Sequence, residues 1–243
     1  MNLYTYASPA TFYHLAGRLV PWFAWGAGLL TLWGLYVGFF VAPTDFQQGE
    51  AYRIIFIHVP AAWMSMFVYL VMAFWGAIGL AFNTRLSFMM ARALAPTGAM
   101  FTFVALWTGA WWGKPMWGAW WVWDARLTSE LILLFLYVGI IALWAAIDDV
   151  KRADRAGSLL TLIGAINVPI IYFSVRWWNT LHQGATIKPS GTSMDAIMLQ
   201  GMLVMAFAAW FYTIAVALVR VRRIILERER HTEWVKALLQ KEV

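Results

Sequence analysis

The stretch that decides the fold is residues 59–82, which read VPAAWMSMFVYLVMAFWGAIGLAF and contain no charged side chain. A helix rises about 1.5 Å per residue, so roughly 20 apolar residues cross the ~30 Å hydrocarbon core of a bilayer. Comparable runs occur six times, at residues 19–41, 59–82, 93–113, 128–147, 156–175 and 196–219. The fourth run begins with Thr128, Ser129 and Glu130 and is free of charge from residue 131 onwards. The pattern predicts six transmembrane helices.

The composition of the 243-residue chain agrees with a membrane protein. Hydrophobic residues make up 62% and charged residues 12%, whereas soluble domains are near half apolar and about a quarter charged. The runs lack the alternation of polar and apolar residues that a membrane β-barrel requires. We therefore predict an all-α integral membrane protein with one domain over residues 1–219. Residues 220–243 are predicted to form a basic cytoplasmic tail with a short amphipathic helix, and the first run to be a retained helix rather than a signal peptide.

Several functional classes are excluded by what the sequence lacks. It contains no cysteine, which excludes disulfides, thiol redox chemistry and thiolate metal sites. It has no Walker, GxSxG or HExxH pattern, so nothing indicates an ATPase, a serine hydrolase or a zinc protease. The net charge of +6 does not indicate a nucleic-acid partner, because seven of the 18 Lys and Arg residues follow residue 219. Basic residues beside a membrane helix more often determine topology.

The distribution of positive charge predicts the orientation. With six spans, both termini and two short loops share one side, which carries 13 Lys and Arg residues. The opposite side carries five, namely Arg53, Lys114, Arg126, Arg176 and Lys188. The positive-inside rule then places both termini in the cytoplasm. The other three loops, near residues 42–58, 114–130 and 176–195, are longer and chemically varied, so we expect the functional site on the external side.

Tryptophan is concentrated in the loop between the third and fourth spans. Seven of the 17 tryptophans lie between residues 107 and 123. A helical turn would bring one group onto a common face by spacings of three, four and seven residues, namely Trp117, Trp120, Trp121 and Asp124. We expect Gly113, Pro115 and Gly118 to interrupt the third helix, so that this aromatic shelf lies along the membrane surface. The alternative is an aromatic belt, since indoles favour the headgroup level.

Two of the four histidines lie on the same side as the shelf. His58 and His182 belong to the two flanking loops, whereas His14 and His231 lie on the cytoplasmic side of the predicted topology. A flat aromatic shelf suits a porphyrin, a quinone head or a polyprenyl lipid. Neutral imidazoles are common ligands of haem iron, and a pair of them gives a six-coordinate site. The alternative is that each histidine simply bonds to a neighbouring carbonyl.

Other polar residues have both functional and structural interpretations. Four cations of the external loops could pair with a ligand carboxylate such as a propionate, namely Arg53, Lys114, Arg126 and Lys188. They could equally determine topology or pair with Asp45, Glu50 or Asp124. Asn167 and Pro169 are expected to loosen the fifth helix, with a neighbour satisfying the exposed groups. Glu130 is interpreted as a favourable charge near the start of the fourth helix.

Three segments together resemble a known family. Residues 113–130 read GKPMWGAWWVWDARLTSE, residues 53–62 read RIIFIHVPAA and residues 177–184 read WWNTLHQG. The first resembles the tryptophan-rich "WWD" motif of haem-handling membrane proteins. With the chain length and the six spans, all three resemble the cytochrome c maturation protein C family, also called the haem exporter protein C family. The resemblance extends over nearly the whole chain.

The resemblance implies a function. Proteins of this family hold haem b at the outer face of the bacterial inner membrane and present it to a periplasmic haem chaperone, which binds it covalently through a vinyl group. His58 and His182 correspond to the axial iron ligands. The loop implied to contact haem contains Trp117, Trp120, Trp121, Trp123, Asp124 and Arg126. The family's other partners are a small single-span subunit and the two subunits of an ABC transporter, and the role is one of binding and delivery more than turnover.

Two alternatives remain open from the sequence. A haem permease would need polar or aromatic residues along a path through the spans, and apart from Asn167 the apolar runs offer few. A membrane oxidoreductase that binds a quinone or a lipid would favour histidines or cysteines at helix midpoints, and the runs contain neither.

Overall fold

The computed structural model describes residues 7–182, 187–188 and 191–241, and within them the chain is almost entirely helical. Parts of the predicted domain and tail, residues 1–6, 183–186, 189–190 and 242–243, lie outside the described residues. The α-helices are α1 (Pro9–Tyr36), α2 (Ile55–Phe82), α3 (Arg85–Trp117), α4 (Ala125–Ala146), α5 (Val150–Gly164), α6 (Asn167–Trp177), α7 (Ala196–Arg228) and α8 (Glu233–Lys241). A two-residue hairpin, β1 (Ile187–Lys188) with β2 (Gly191–Thr192), precedes α7.

Six helical segments are long and apolar enough to cross a membrane, which confirms the predicted fold class. They are Pro9–Val41, Glu50–Phe82, Arg85–Trp117, Ala125–Ala146, Val150–Trp177 and Ala196–Arg228. Most extend beyond the apolar runs because a helix continues through charged residues once its ends leave the hydrocarbon core. α7, for example, continues to Arg228, so the beginning of the predicted tail belongs to the last span.

The first and fifth spans depart from regular α-helix at their ends or middle. α1 begins at Pro9 behind Ser8, whose hydroxyl accepts a hydrogen bond from the Thr11 amide, and it ends in a π-helical turn at Val37–Val41. The fifth span is broken at residues 165–166, between α5 and α6. Asn167 donates from Nδ2 to the Ser129 carbonyl at 2.8 Å. The prediction that this helix is loosened is confirmed, and the side chain of Asn167 bonds to the neighbouring α4.

The helices form a bundle around paired α2 and α3. The main buried cluster joins α2, α3, α4 and the α5–α6 span, and its fully buried side chains include Met64, Tyr69, Met72, Leu133, Tyr137 and Ile140. α1 lies against α7 and exposes large apolar side chains on its other face, such as Trp22 and Trp25. In a multi-pass membrane protein this face contacts lipid. We call the end that carries residues 42–49, 118–124 and 178–182 the loop face, and the end that carries the beginning of α1 and the end of α7 the terminal face.

A buried carboxylate holds the terminal face together. Asp154 of α5 is 4% exposed. It accepts hydrogen bonds from Arg92 Nε at 3.0 Å and from both terminal nitrogens of Arg228 at 2.8 Å. The three residues belong to α3, α5 and α7, so the cluster ties three spans together. Removing one partner of such a pair leaves an uncompensated buried charge, which is strongly destabilising.

We expect Asp154→Asn to lower the free energy of unfolding by about 3 kcal/mol, because the amide leaves two arginines without a counter-charge. Unfolding of the micelle-bound protein by a denaturing detergent, followed by tryptophan fluorescence, measures the change. Asp148→Asn removes the same charge from an exposed position beside α5 and should change stability by less than about 0.5 kcal/mol. Equal effects of the two substitutions would contradict a stabilising role for the cluster.

Candidate functional site

A large cavity lies at the loop face among the ends of the helices. Its volume is about 1140 Å³, slightly above the range of roughly 300–1,000 Å³ that is usual for ligand sites. α2, α3, α4, α6 and α7 all contribute to its wall, and residues 43–48 of the first long loop lie across it. The wall includes both predicted histidines and a group of apolar side chains, namely Val59, Trp63, Met66, Trp112, Met116, Trp117, Met198 and Met202.

His58 lies on α2 and not in the preceding loop. A 3₁₀ turn at Glu50–Ile54 leads directly into α2, so the second span begins well before residue 59. The expectation that His58 belongs to a flanking loop is therefore wrong. Pro60 is the sixth residue of α2, beyond the first turn, and the helix continues through it although its missing amide hydrogen removes one intrahelical bond. The imidazole is thus fixed to a rigid element at one wall of the cavity.

The Nδ1 atom of His58 lies 3.0 Å from the Thr108 hydroxyl oxygen on α3. That hydroxyl donates its only hydrogen to the Val104 carbonyl at 2.6 Å. When that hydroxyl donates to the Val104 carbonyl, its oxygen accepts from Nδ1–H of His58, and the ring also has a hydrogen bond with the Ala105 backbone. The Nε2 lone pair remains for a ligand.

α3 also fixes the position of the His58 ring. The ring makes an edge-on contact with Trp112, with centroids 5.6 Å apart. On the same helix Gly109 leaves room for the imidazole, since a Cβ atom there would lie 3.0 Å from Cε1 of His58. Trp112 is held in turn by a hydrogen bond of 3.0 Å from its Nε1 to Oε1 of Gln48. The first long loop is thereby connected to the helix that supports His58.

His182 approaches the cavity from the loop after α6. Its Nδ1 lies 3.3 Å from Oδ2 of Asp124, and its ring packs edge-on against Trp117 at a centroid distance of 4.9 Å. Burial lowers the pKa of His182, although the nearby Asp124 carboxylate acts in the opposite direction. The imidazole is therefore neutral at neutral pH, donates its Nδ1 hydrogen to the carboxylate and keeps Nε2 free.

Asp124 has two roles that the sequence did not distinguish. Its Oδ1 accepts a hydrogen bond of 2.8 Å from the Leu127 amide and so caps the beginning of α4. Its Oδ2 faces His182. Because the cap holds the carboxylate in place, the position of His182 is tied to that of α4. The sequence placed Asp124 on the aromatic shelf, as a possible partner of the loop cations and as a residue near the ligand, but indicated neither the cap nor the contact with His182.

The predicted helical turn through the tryptophan-rich loop is wrong. α3 continues through Gly113 and Pro115 and ends at Trp117, where Gly118 adopts a positive φ of 74°. Residues 119–124 are not helical, so the spacing of Trp120, Trp121 and Asp124 does not place them on one face with Trp117. The physical reason is that only Gly118 takes the left-handed conformation that ends a helix, while Pro115 costs a single hydrogen bond.

Of the predicted shelf tryptophans, Trp117 lines the cavity and the others do not, as far as the described residues define its wall. Trp120 packs edge-on against Trp111 with centroids 5.3 Å apart, and Trp121 against Trp123 at 5.4 Å. Trp120 is 50% exposed and Trp123 78% exposed. These side chains form an aromatic rim, defined here as Trp120, Trp121 and Trp123, outside the cavity.

The cations of the predicted external loops divide into structural and cavity-lining groups. Arg53 pairs with Glu50 and donates to the Gly38 and Ala42 carbonyls at 2.6 and 3.1 Å, so it caps the end of the first span. Lys114 donates to the Gly118 carbonyl at 3.1 Å. Arg126 lines the cavity and is anchored through the Ile171 carbonyl at 2.8 Å. The side chain of Lys188 lies outside the described part of the chain.

The sequence did not predict the roles of two further residues. Arg176 lines the cavity near the end of α6. The sequence indicated this role only in that Arg176 is one of the five cations on the predicted external side. Glu130 lies in the sixth position of α4, beyond the first turn, so its role is not to favour the helix dipole. It is 6% exposed and accepts a hydrogen bond of 2.6 Å from the Ser65 hydroxyl on α2. Nothing local in the sequence indicates that pairing.

Comparison with known proteins places the chain in a family. Residues 2–236 match the family model described as "Heme exporter protein C". The chain is 48% identical to "Heme exporter protein C" of Escherichia coli K12, over 99% of this chain and 97% of that protein. It is 49% identical to the protein of that name from Bradyrhizobium diazoefficiens, over 94% and 87%. It is also 46% identical to the "Putative cytochrome c biosynthesis ccmC-like mitochondrial protein" of Marchantia polymorpha, over 84% and 86%. The chain therefore belongs to the heme exporter protein C family.

Proposed function

We propose that this protein binds haem b at the external face of the bacterial inner membrane and presents it to a periplasmic haem chaperone during cytochrome c maturation. One observation carries the proposal. His58 and His182 line the same cavity, Nδ1 of each lies within hydrogen-bond distance of a side-chain oxygen, and no side chain in the described part of the chain bonds to either Nε2. A hydrogen bond on the far nitrogen is the usual support of a metal-bound imidazole. We assign these two residues as the axial ligands of the haem iron.

The rest of the wall suits a haem as cargo. Porphyrin is large, flat and apolar, and aromatic and methionine side chains such as Trp117, Met116 and Met198 form much of the surface. Methionine side chains adapt to irregular shapes and make favourable contacts with aromatic rings. Haem b also carries two propionates, and two arginines, Arg126 and Arg176, line the cavity. The guanidinium group is well suited to binding carboxylates.

The orientation follows from charge. The side with both termini carries 13 of the 18 Lys and Arg residues, and the positive-inside rule places that side in the cytoplasm. The cavity then opens to the periplasm, where the chaperone resides. The aromatic rim lies outside the cavity, with Trp120 half-exposed and Trp123 largely exposed. We assign Trp120, Trp121, Trp123 and Asp124 to the surroundings of the exposed haem edge, where the chaperone reaches the vinyl group.

The protein's own contribution to loading is positioning. Axial ligation and the arginines hold the haem in one orientation, and the aromatic rim leaves one edge accessible, which favours the reaction without proton transfer by this chain. The small single-span subunit and the two ABC transporter subunits complete the proposed assembly in the bilayer. Delivery, and not catalytic turnover, is the proposed role.

A haem permease is the second candidate, and the structure gives it one supporting observation. Glu130, Ser65 and Tyr137 form a buried hydrogen-bonded group between α2 and α4, with Tyr137 donating to the Ser65 carbonyl at 2.8 Å. The spans thus contain more polar groups than the sequence suggested. The bundle core is nevertheless filled by side chains such as Met72 and Ile140, each 0% exposed. A path through the spans would have to displace them, so we favour presentation at the loop face over permeation.

The ligands are tested by the visible absorption spectrum of the purified, haem-loaded protein. We expect the wild type to give a low-spin, six-coordinate spectrum in both oxidation states, because two imidazoles are strong axial ligands. His58→Ala and His182→Ala should each convert it to a spectrum with one protein ligand. His231→Ala, which alters an exposed histidine at the terminal face, is the control. A low-spin spectrum retained in both alanine variants would rule out this ligand pair.

The delivery step is tested by co-production with the chaperone. We expect the double variant His58→Ala/His182→Ala to leave the chaperone without covalent haem, because haem is no longer held where the vinyl group can react. Haem stain on the denatured chaperone measures the product, and the His231→Ala protein should load it normally. Normal loading by the double variant would refute presentation through these histidines.

The propionate assignment is tested by haem affinity. We expect Arg126→Gln and Arg176→Gln each to weaken binding of haem b about tenfold or more, because each removes a charge-assisted hydrogen bond. The dimethyl ester of haem b carries no propionate charge, so the same variants should bind it as the wild type does. Lys114→Gln serves as the control on the same face. An equal loss for haem and its ester would show that the arginines stabilise the cavity rather than bind propionates.

A further inference from the structure

The two histidines are supported by chemically different partners. Asp124 beside His182 is a carboxylate, whereas Thr108 beside His58 is an uncharged hydroxyl. Building on the proposed function, we propose that Thr108 is the positioning residue for His58, and that its lack of charge makes His58 the weaker and more readily released of the two axial ligands.

The hydroxyl of Thr108 determines which nitrogen of His58 is available. Its hydrogen is directed along α3 to the Val104 carbonyl, four residues earlier, at 2.6 Å. Its oxygen is therefore a fixed acceptor for Nδ1–H at 3.0 Å. If the ring rotated by about 180° around its Cβ–Cγ bond, Cδ2 would face the hydroxyl in place of Nδ1 and the hydrogen bond would be lost. Thr108, together with the Ala105 backbone, thus holds the tautomer and the rotation of the ring.

The surroundings reinforce this orientation from the same helix face. Thr108, Gly109 and Trp112 are neighbours on α3, and all three face the ring. Gly109 allows close approach of Cε1, and Trp112 packs edge-on against the imidazole. These three residues therefore form a socket where α3 contacts α2. The socket holds the ring and leaves Nε2 facing the cavity.

The support of His182 is different in kind. Asp124 is held by its bond to the Leu127 amide, so its second oxygen stays beside His182. At 3.3 Å this contact is longer than the one to His58, but the acceptor carries a full negative charge. A carboxylate on the far nitrogen raises the basicity of a ligating imidazole, and a hydroxyl does so less. His182 is accordingly the stronger electron donor to the iron.

The positioning role is tested by three variants of the haem-loaded protein. Thr108→Val has nearly the same shape but no acceptor, and we expect it to weaken haem binding about 10–100-fold and to speed carbon monoxide binding to the reduced haem, which requires an axial ligand to leave. Thr108→Ser keeps the hydroxyl and should restore wild-type behaviour. Thr102→Val removes an equivalent back-bond, from Thr102 to the Gly98 carbonyl at 2.8 Å, without touching His58, and should leave affinity and rate unchanged.

The difference between the ligands is tested by the midpoint potential of the haem. Asp124→Asn keeps an oxygen for the cap of α4 but removes the charge beside His182, so it should raise the potential by more than Thr108→Val does. A larger rise in Thr108→Val would overturn the assignment of His58 as the weaker donor.

The outcomes separate this inference from the proposed function. A wild-type spectrum without two histidine ligands would refute the proposed function itself. A wild type with both ligands, together with a Thr108→Val protein that matches Thr102→Val in affinity and rate, would refute only the role of Thr108. Loss of affinity in Thr108→Ser equal to that in Thr108→Val would show that packing, and not the hydroxyl, holds the ring.

Discussion

The constraint on which the structure depends is the absence of water from the bilayer core. Every backbone polar group there must be bonded within the protein, so the spans are helices, and polar side chains between them need partners. The buried carboxyl groups follow this rule at both ends of the bundle. Asp154 is bonded to two arginines at the terminal face, and Glu130 accepts from Ser65 near the loop face. In the cavity, by contrast, polar side chains face open space and not a partner on a neighbouring helix. For this reason the cavity is the candidate site.

The cavity depends on features that straight, fully packed helices would not provide. The fifth span is broken at residues 165–166, which separates α5 from the part that lines the cavity through Tyr172, Val175 and Arg176. α3 ends at Gly118, and the next helix begins only behind Asp124. The intervening residues carry the aromatic rim and place the Asp124 carboxylate beside His182. Two interruptions of helix geometry thus supply part of the lining and one of the two histidine supports.

The sequence predicted what depends on composition and missed what depends on contacts between distant residues. Six apolar runs were sufficient for the spans, because length and the lack of charge are properties of each segment. His58 and His182 were chosen because they shared a side with the tryptophans, and they do line one cavity. The helical turn at Trp117–Asp124 was wrong because it assumed a regular helix across Gly118. Thr108, which lies 50 positions after His58 in the chain, could not be linked to it without the packing of α2 on α3.

The most direct test of this account is an electron cryomicroscopy map of the haem-loaded protein in a lipid nanodisc. The account predicts density for the porphyrin inside the cavity, with the iron between Nε2 of His58 and Nε2 of His182. It also predicts that Nδ1 of each ring remains bonded to Thr108 or Asp124. Porphyrin density outside the cavity, stacked on Trp120, Trp121 and Trp123 with His58 still distant from the iron, would contradict the central claim.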